Sequence, residues 1–299
     1  MKIIFGSWSR EIDDTTYTPE NSGSGYENIA ACLDGEWHVL SKKTKEPYDL
    51  VLCCCPTGTD NVFKPDCWKK LIIVEESGFG VLNTHWFYEK LQDINFDGIF
   101  VHSSKLKPLF QSLNRPVYDF YPPYPFERVQ KLEKKQIIQN KICLNISRLF
   151  TFESNIAGTL RLCQIMPEFQ FVSYCNNTKE LNSIIKKANV NNWQIFPHLG
   201  WQDYLEKSAE CSMFASLDNR YTWGRFQLDA AALGKYCAGA YTESQKLFYP
   251  QEFCIEATDV EKLADLIRSN AGKHYEPSFE SIQKVSHQYF STFLESVVI

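Results

Sequence analysis

The chain has 299 residues, enough for two compact α/β domains. With 44% hydrophobic and 22% charged residues it is a folding globular sequence, which excludes a disordered chain. Its formal net charge of −5 arises wholly in residues 1–128, where acidic residues outnumber basic ones by five, so the chain is not basic overall, as a protein that grips duplex DNA usually is.

Residues 1–8 read as a first strand rather than a secretory signal, because polar residues follow at once. Further strands are expected at 50–54, 71–74 and 98–101, which are short and apolar, and at 37–40. Helices are expected at 24–33, 85–92 and 105–112. Strands alternating with helices imply a parallel sheet covered on both faces. Cys53, Cys54 and Cys55 lie in the apolar run 50–56 and read as buried thiols that pack like small hydrophobes. Of the 11 cysteines none has Cys-x-x-Cys spacing, so a metal knuckle is not indicated and a reducing cytoplasm is the expected compartment. No apolar run of about 18 residues exists, so no membrane-spanning helix is expected.

Strand ends in such a sheet carry the ligand-facing groups. Glu75 and His85 follow the fourth strand and His102 ends the fifth; each could orient a hydroxyl, and each could equally be surface or core. The basic groups Lys64, Lys69 and Lys70, and Lys105, Lys107 and Arg115, form two possible local patches, for which a solvated face is the simpler reading. Tyr121-Pro122-Pro123-Tyr124-Pro125-Phe126 and the charged run 127–135 then read as a stiff, solvated connector. We place the boundary near residue 130: a first domain over 1–129 and a second over 130–277, with a last helix in 278–299 expected to pack back on the first.

The second domain repeats the alternation. Strands are expected at 142–147, 169–174, 193–196, 211–215, 236–239 and 253–255, and helices at 155–165, 178–188, 201–208, 225–233 and 259–269. The most informative stretch is 221–235, where Gly224 in a tight turn opens a helix that runs through three alanines to Gly234. Free N–H groups and the positive end of the helix dipole make such a start a candidate anion site, with Gly224, Arg225 and Phe226 around it. Asp229 lies about one turn further in, where a carboxylate can accept hydrogen bonds from sugar hydroxyls. An ordinary Ala-rich packing helix remains the alternative.

Trp223-Gly224 followed by Leu228-Asp229-Ala230-Ala231-Ala232-Leu233-Gly234 resembles the donor motif of retaining glycosyltransferases of the GT-B fold. The resemblance implies two Rossmann-like, doubly wound domains facing a central cleft. It also implies transfer of a sugar from a nucleoside diphosphate sugar (UDP- or GDP-sugar) to a hydroxyl acceptor, with retention, in which Asp229 binds the ribose. The motif's other Glu falls on Tyr221. Arg148, after the apolar strand 142–147, matches a cation that neutralises the donor diphosphate, whereas the companion Lys falls on Glu153; Arg225, Lys235 and Arg220 are the candidate replacements. Ser22-Gly23-Ser24-Gly25-Tyr26 is similar to the glycine loop of GT-B first domains, which places Gly23 and Gly25 near the donor phosphate or acceptor. Pro197-His198-Leu199-Gly200 matches the loop whose backbone reads the nucleotide base, giving His198 and Leu199 as donor contacts.

In this scheme Arg148, Arg225 and His85 carry catalysis, Glu75, His85 and His102 face the acceptor, and no metal is required. Residues 116–123 and the strand ending at Arg148 are more narrowly similar to the phage DNA α-glucosyltransferases, which would make a 5-hydroxymethylated pyrimidine in duplex DNA the acceptor and the host cytoplasm the site of action. A glycan or small-molecule acceptor stays open, and so does a non-catalytic nucleotide-sugar-binding module, which Tyr221 and Glu153 motivate. Sequence leaves the oligomeric state unknown.

Overall fold

The computed structural model describes residues 3–6, 48–54, 68–74, 91, 95–119, 124–146, 154–218, 222–276, 288, 291–292 and 295–296. The chain divides into two compact units. One comprises Met1–Pro125, Tyr221–Trp223 and Gln283–Ile299, the other Phe126–Arg220 and Gly224–Ile282. The expected strand at 37–40 and helix at 24–33 lie outside the described residues, as do most of 85–92 and 278–296.

The first unit holds a five-stranded sheet in the order β1 (Ile3–Gly6), β2 (Tyr48–Cys54), β3 (Trp68–Val74), β4 (Gly98–Val101) and β5 (Val117–Asp119), every neighbouring pair parallel. Leu71, Ile72, Ile73 and Val74 are all buried, as a parallel strand covered on both faces requires. Val51, Leu71, Ile73, Ile99 and Val101 form one core with Leu106 and Phe110. Leu106 closes a 3₁₀ turn, Ser104–Leu106, and Phe110 ends the short helix α1 (Lys107–Phe110). The expected helix at 105–112 is thus broken into 3₁₀, α and 3₁₀ turns, with Pro108 in the first turn of the α segment. Strand β5 was not legible, being three half-buried residues behind Pro116.

The second unit begins with helix α2 (Phe126–Gln130), within what reads in sequence as a charged connector; Phe126 and Val129 are buried. There follow β6 (Ile138–Leu144), α3 (Ile156–Ile165), β7 (Gln170–Cys175), α4 (Thr178–Lys187), β8 (Trp193–Pro197), α5 (Trp201–Ser208), β9 (Cys211–Ser216), α6 (Arg225–Ala232), β10 (Cys237–Gly239), α7 (Glu243–Phe248) and α8 (Val260–Asn270). Buried Val260, Leu263, Ala264 and Ile267 give α8 its apolar stripe, and Asp259 caps it by accepting from Lys262 N. The C-terminal carbonyls of α3 are satisfied by Asn192, whose Nδ2 lies 3.0 Å from Cys163 O and 2.9 Å from Met166 O.

The parallel sheet of this unit runs β10-β9-β6-β7-β8. The chain winds outward from β6 through β7 to β8, then returns to the other side of β6 for β9 and β10. Strand order therefore reverses between β6 and β9, which leaves a crevice outside their carboxyl ends. Strand β6 starts four residues before its apolar run because Ile138 already pairs with Cys211. The expected strand at 253–255 is a 3₁₀ turn, Gln251–Phe253, plus one parallel bridge from Cys254 to Gly239. Among the described residues no helix is long and apolar enough to cross a membrane.

Candidate functional site

The carboxyl ends of β6 and β9 are tied together at the reversal. Asn145 N donates to Ala215 O at 3.0 Å, Asn145 Nδ2 donates to Ser216 Oγ at 3.2 Å, and Ser216 Oγ also accepts from Asp218 N at 3.4 Å. These bonds tie the end of β6 to the end of β9, after which the chain runs on to α6. Arg148 itself lies outside the described residues, as do Gly23, Gly25, Glu75 and His85.

Helix α6 opens at Gly224, whose backbone is left-handed (φ 89°, ψ 59°). Besides that conformation, a Cβ there would collide with Thr242 Oγ1 and stand 2.8 Å from Gln227 Oε1, so both the dihedral and the space demand glycine. Thr242 is held in place as the cap of α7, accepting from Gln245 N at 3.1 Å. Gly224 O receives Gln227 N at 3.2 Å and Leu228 N at 3.3 Å, the first bonds of the helix. The N–H groups of Arg225 and Phe226 precede any intrahelical acceptor, so they project from the helix start with the positive end of its dipole. Arg225 is exposed there, and Phe226 packs on Phe214 of β9 with centroids 5.2 Å apart.

Residues Gln227 to Ala232 are all buried, Asp229 to 4% exposure. Its Oδ1 accepts the indole Nε1–H of Trp201 at 3.0 Å. Trp201 begins α5 directly after the turn carrying exposed His198 and half-buried Leu199. The structure therefore joins α6 to the 197–200 loop through Asp229 and Trp201. On the ring of Trp201 rests Arg128, its guanidinium carbon 5.4 Å from the ring centroid. The buried Nη1 of Arg128 has no hydrogen-bond partner among the described residues. The Tyr249 hydroxyl, 3.0 Å from Gln227 O and 3.2 Å from Lys235 O, clamps both ends of α6. Burial pushes the Tyr204 and Tyr249 phenols well above their ordinary range, and the negative charge of Asp229 pushes in the same direction.

Lys235 does not stand at the helix start. It lies beyond the other end of α6, about 12 Å of helix away, and its backbone bridges to His274. It is nearly buried, and desolvation lowers its pKa. Arg225 is the described cation at the start; Arg220 lies outside the described residues. His102, in the first unit, directly follows β4 and is buried. Among the described residues no three His, Cys, Asp or Glu side chains cluster as a metal site would require. Trp201, Arg128, Asn145 and Ser216 were not singled out in sequence. For Trp201 the available signal was its position at the first turn of a helix, just behind the 197–200 loop.

No protein-family model and no curated protein matches the sequence. The fold does have solved counterparts. The Anabaena HepE protein, solved with UDP and glucose, has a TM-score of 0.62 at 14% identity, over 98% of this chain and 99% of that one. An alpha-glucosyltransferase solved with UDP has a TM-score of 0.57 at 13% identity, over 98% and 94%; the alpha-glucosyltransferase has also been solved with UDP-glucose and DNA containing an abasic site. S. aureus TarM, solved with UDP among other ligands, has a TM-score of 0.57 at 12% identity over 82% of this chain, which spans about half (52%) of TarM. These likenesses show the fold: the chain has the α/β GT-B fold of glycosyltransferases.

Proposed function

We propose that the chain is a glycosyltransferase that takes its sugar from a nucleoside diphosphate sugar, a UDP-sugar first among them, and passes it to an acceptor hydroxyl. The observation that carries the reading is the start of α6. A glycine-capped helix opens beside the reversal between β6 and β9, with a buried carboxylate one turn inside it. The three structural counterparts described above, each solved with UDP, support the choice of donor.

In this reading the N–H groups of Arg225 and Phe226 and the Arg225 guanidinium meet the diphosphate, together with Arg148. Asp229 accepts the ribose hydroxyls, and the backbone of the 197–200 loop meets the base. As the bond from the sugar's anomeric carbon to the diphosphate oxygen breaks, negative charge grows on the leaving group, and fixed positive dipoles and cations stabilise it without rearranging. The acceptor oxygen forms the new bond to the anomeric carbon and gives its proton to the departing phosphate or to a side chain of the acceptor face. His85, His102 and Glu75 are the residues we assign to that face, with Gly23 and Gly25 in the loop facing the donor. Retention follows from the likeness of the α6 motif to that of the retaining families. For the acceptor we favour a 5-hydroxymethylated pyrimidine in phage DNA, on the narrower sequence resemblance and on the counterpart solved with DNA. Such a base has to leave the stack to be reached.

Incubating the chain with labelled UDP-glucose and duplex DNA containing 5-hydroxymethylcytosine tests this, with unmodified DNA and oligosaccharides alongside. Label on the modified duplex is the expected result. Transfer to oligosaccharide alone would overturn the DNA acceptor. Tight donor binding with neither transfer nor hydrolysis would overturn the enzyme in favour of a binding module.

A further inference from the structure

We infer that Trp201 is a positioning residue for Asp229, and that the pair makes the site discriminate ribonucleoside from 2′-deoxyribonucleoside diphosphates. The inference rests on the reading of Asp229 as the ribose carboxylate.

A carboxylate with 4% exposure needs partners to offset its lost hydration. The partner at Oδ1 is an indole N–H at 3.0 Å. An indole nitrogen donates a single proton in the ring plane and accepts nothing, so this contact has one geometry. It takes one of about four acceptor positions of the carboxylate and fixes the plane in which the others point. A neutral donor orients the carboxylate at Oδ1, and hydroxyl donors bond more strongly to a charged acceptor than to a neutral one.

The ring is itself held from two sides. Its backbone begins α5, which Tyr204 N closes onto Gly200 O at 2.9 Å and which Leu205, 1% exposed, anchors in the core. Over its face lies the Arg128 guanidinium, within cation–π range at 5.4 Å. A cation on the π face draws electron density from the ring and strengthens the indole N–H as a donor. The buried Nη1 of Arg128, lacking a hydrogen-bond partner among the described residues, is consistent with a guanidinium held there by the ring. Three residues from three helices, α2, α5 and α6, thus stack in the order cation, ring, carboxylate.

Calorimetric titration of UDP and 2′-deoxy-UDP against the wild-type chain and the variants Asp229→Asn, Trp201→Phe and Trp201→His tests the inference. Wild type is expected to bind UDP roughly tenfold more tightly than 2′-deoxy-UDP. Asp229→Asn should abolish that preference, which checks the underlying reading. Trp201→Phe keeps a ring under Arg128 but removes the N–H, and should lose the preference while its affinity for 2′-deoxy-UDP stays within about twofold. Trp201→His, which restores a ring N–H, should recover part of it. An Asp229→Asn chain that still prefers UDP would overturn the ribose reading itself. If Asp229→Asn loses the preference and Trp201→Phe keeps it, the ribose reading stands and the role of Trp201 falls. Equal weakening of both ligands in Trp201→Phe, or the same loss in Phe and His variants, would likewise overturn the role of Trp201, since general packing damage would then explain the effect.

Discussion

Asp229 and Lys235 both stand on or beside α6 as nearly buried charges, and their surroundings give them opposite parts. Asp229 accepts a hydrogen bond from the Trp201 indole, which holds its carboxylate in one orientation. On the proposed reading of Asp229 as the ribose carboxylate, replacing it by Ala removes the acceptor of two hydroxyl bonds, each of about 1.5–3 kcal/mol when the acceptor is charged. We expect UDP-sugar affinity to fall at least about tenfold by calorimetry; an unchanged affinity would count against the assignment. Lys235 is buried beyond the helix end, and desolvation lowers its pKa in the folded chain. The unfolded chain therefore binds more protons, and the cost to stability is full below the lowered folded value and fades as pH rises from there to the unfolded value. Lys235→Met should raise the Tm by a few degrees at pH 7, and the gain should shrink as pH approaches the ordinary lysine value of 10.5. A gain equal at pH 7 and pH 10, or a loss at pH 7, would contradict that. Asp229 was legible in sequence because its place follows from spacing along one helix. Its partner was not, since Trp201 lies 28 residues away and meets it only through the packing of α5.

Among the elements, α6 depends most on a single position. Gly224→Ala places a Cβ in a left-handed backbone and against Thr242, a combined cost of about 2–4 kcal/mol. Either the helix start shifts or the chain loses stability. We expect thermal unfolding several degrees lower, and UDP binding weakened beyond what that loss of stability explains. A variant as stable and as tight-binding as wild type would show that the turn is not needed. Strands β2, β3, β4, β7 and β9 could be read from their apolar runs, and α5 (Trp201–Ser208) has the bounds the sequence pattern predicts. The elements that escaped were short and set by tertiary contact. Helix α7 is a polar six-residue turn that forms because Thr242 caps it and Gln245 reaches Cys237 O. Phe253, Cys254 and Ile255 looked like a strand because they are apolar, yet only one bridge forms, behind Pro250 and a 3₁₀ turn.

At the scale of the whole molecule, the arrangement of chemistry follows from sheet order in the second unit. Had β9 added beside β8, strand order would not reverse at β6, and the crevice that such a reversal leaves would be absent. The reversal at β6 brings Asn145 to Ser216, 71 residues later in sequence, beside the strand on which α6 packs through Phe226 and Phe214. Sequence could supply the alternation of strands and helices, but strand order is fixed by long-range pairing that no local pattern encodes. On the proposed reading this helix start holds a pyrophosphate, and a crystal structure of the chain with UDP is the decisive measurement. Diphosphate oxygens are expected within about 3 Å of the N–H groups of Arg225 or Phe226, with ribose hydroxyls on Asp229. UDP bound elsewhere, or at the helix with its ribose turned away from Asp229, would contradict it.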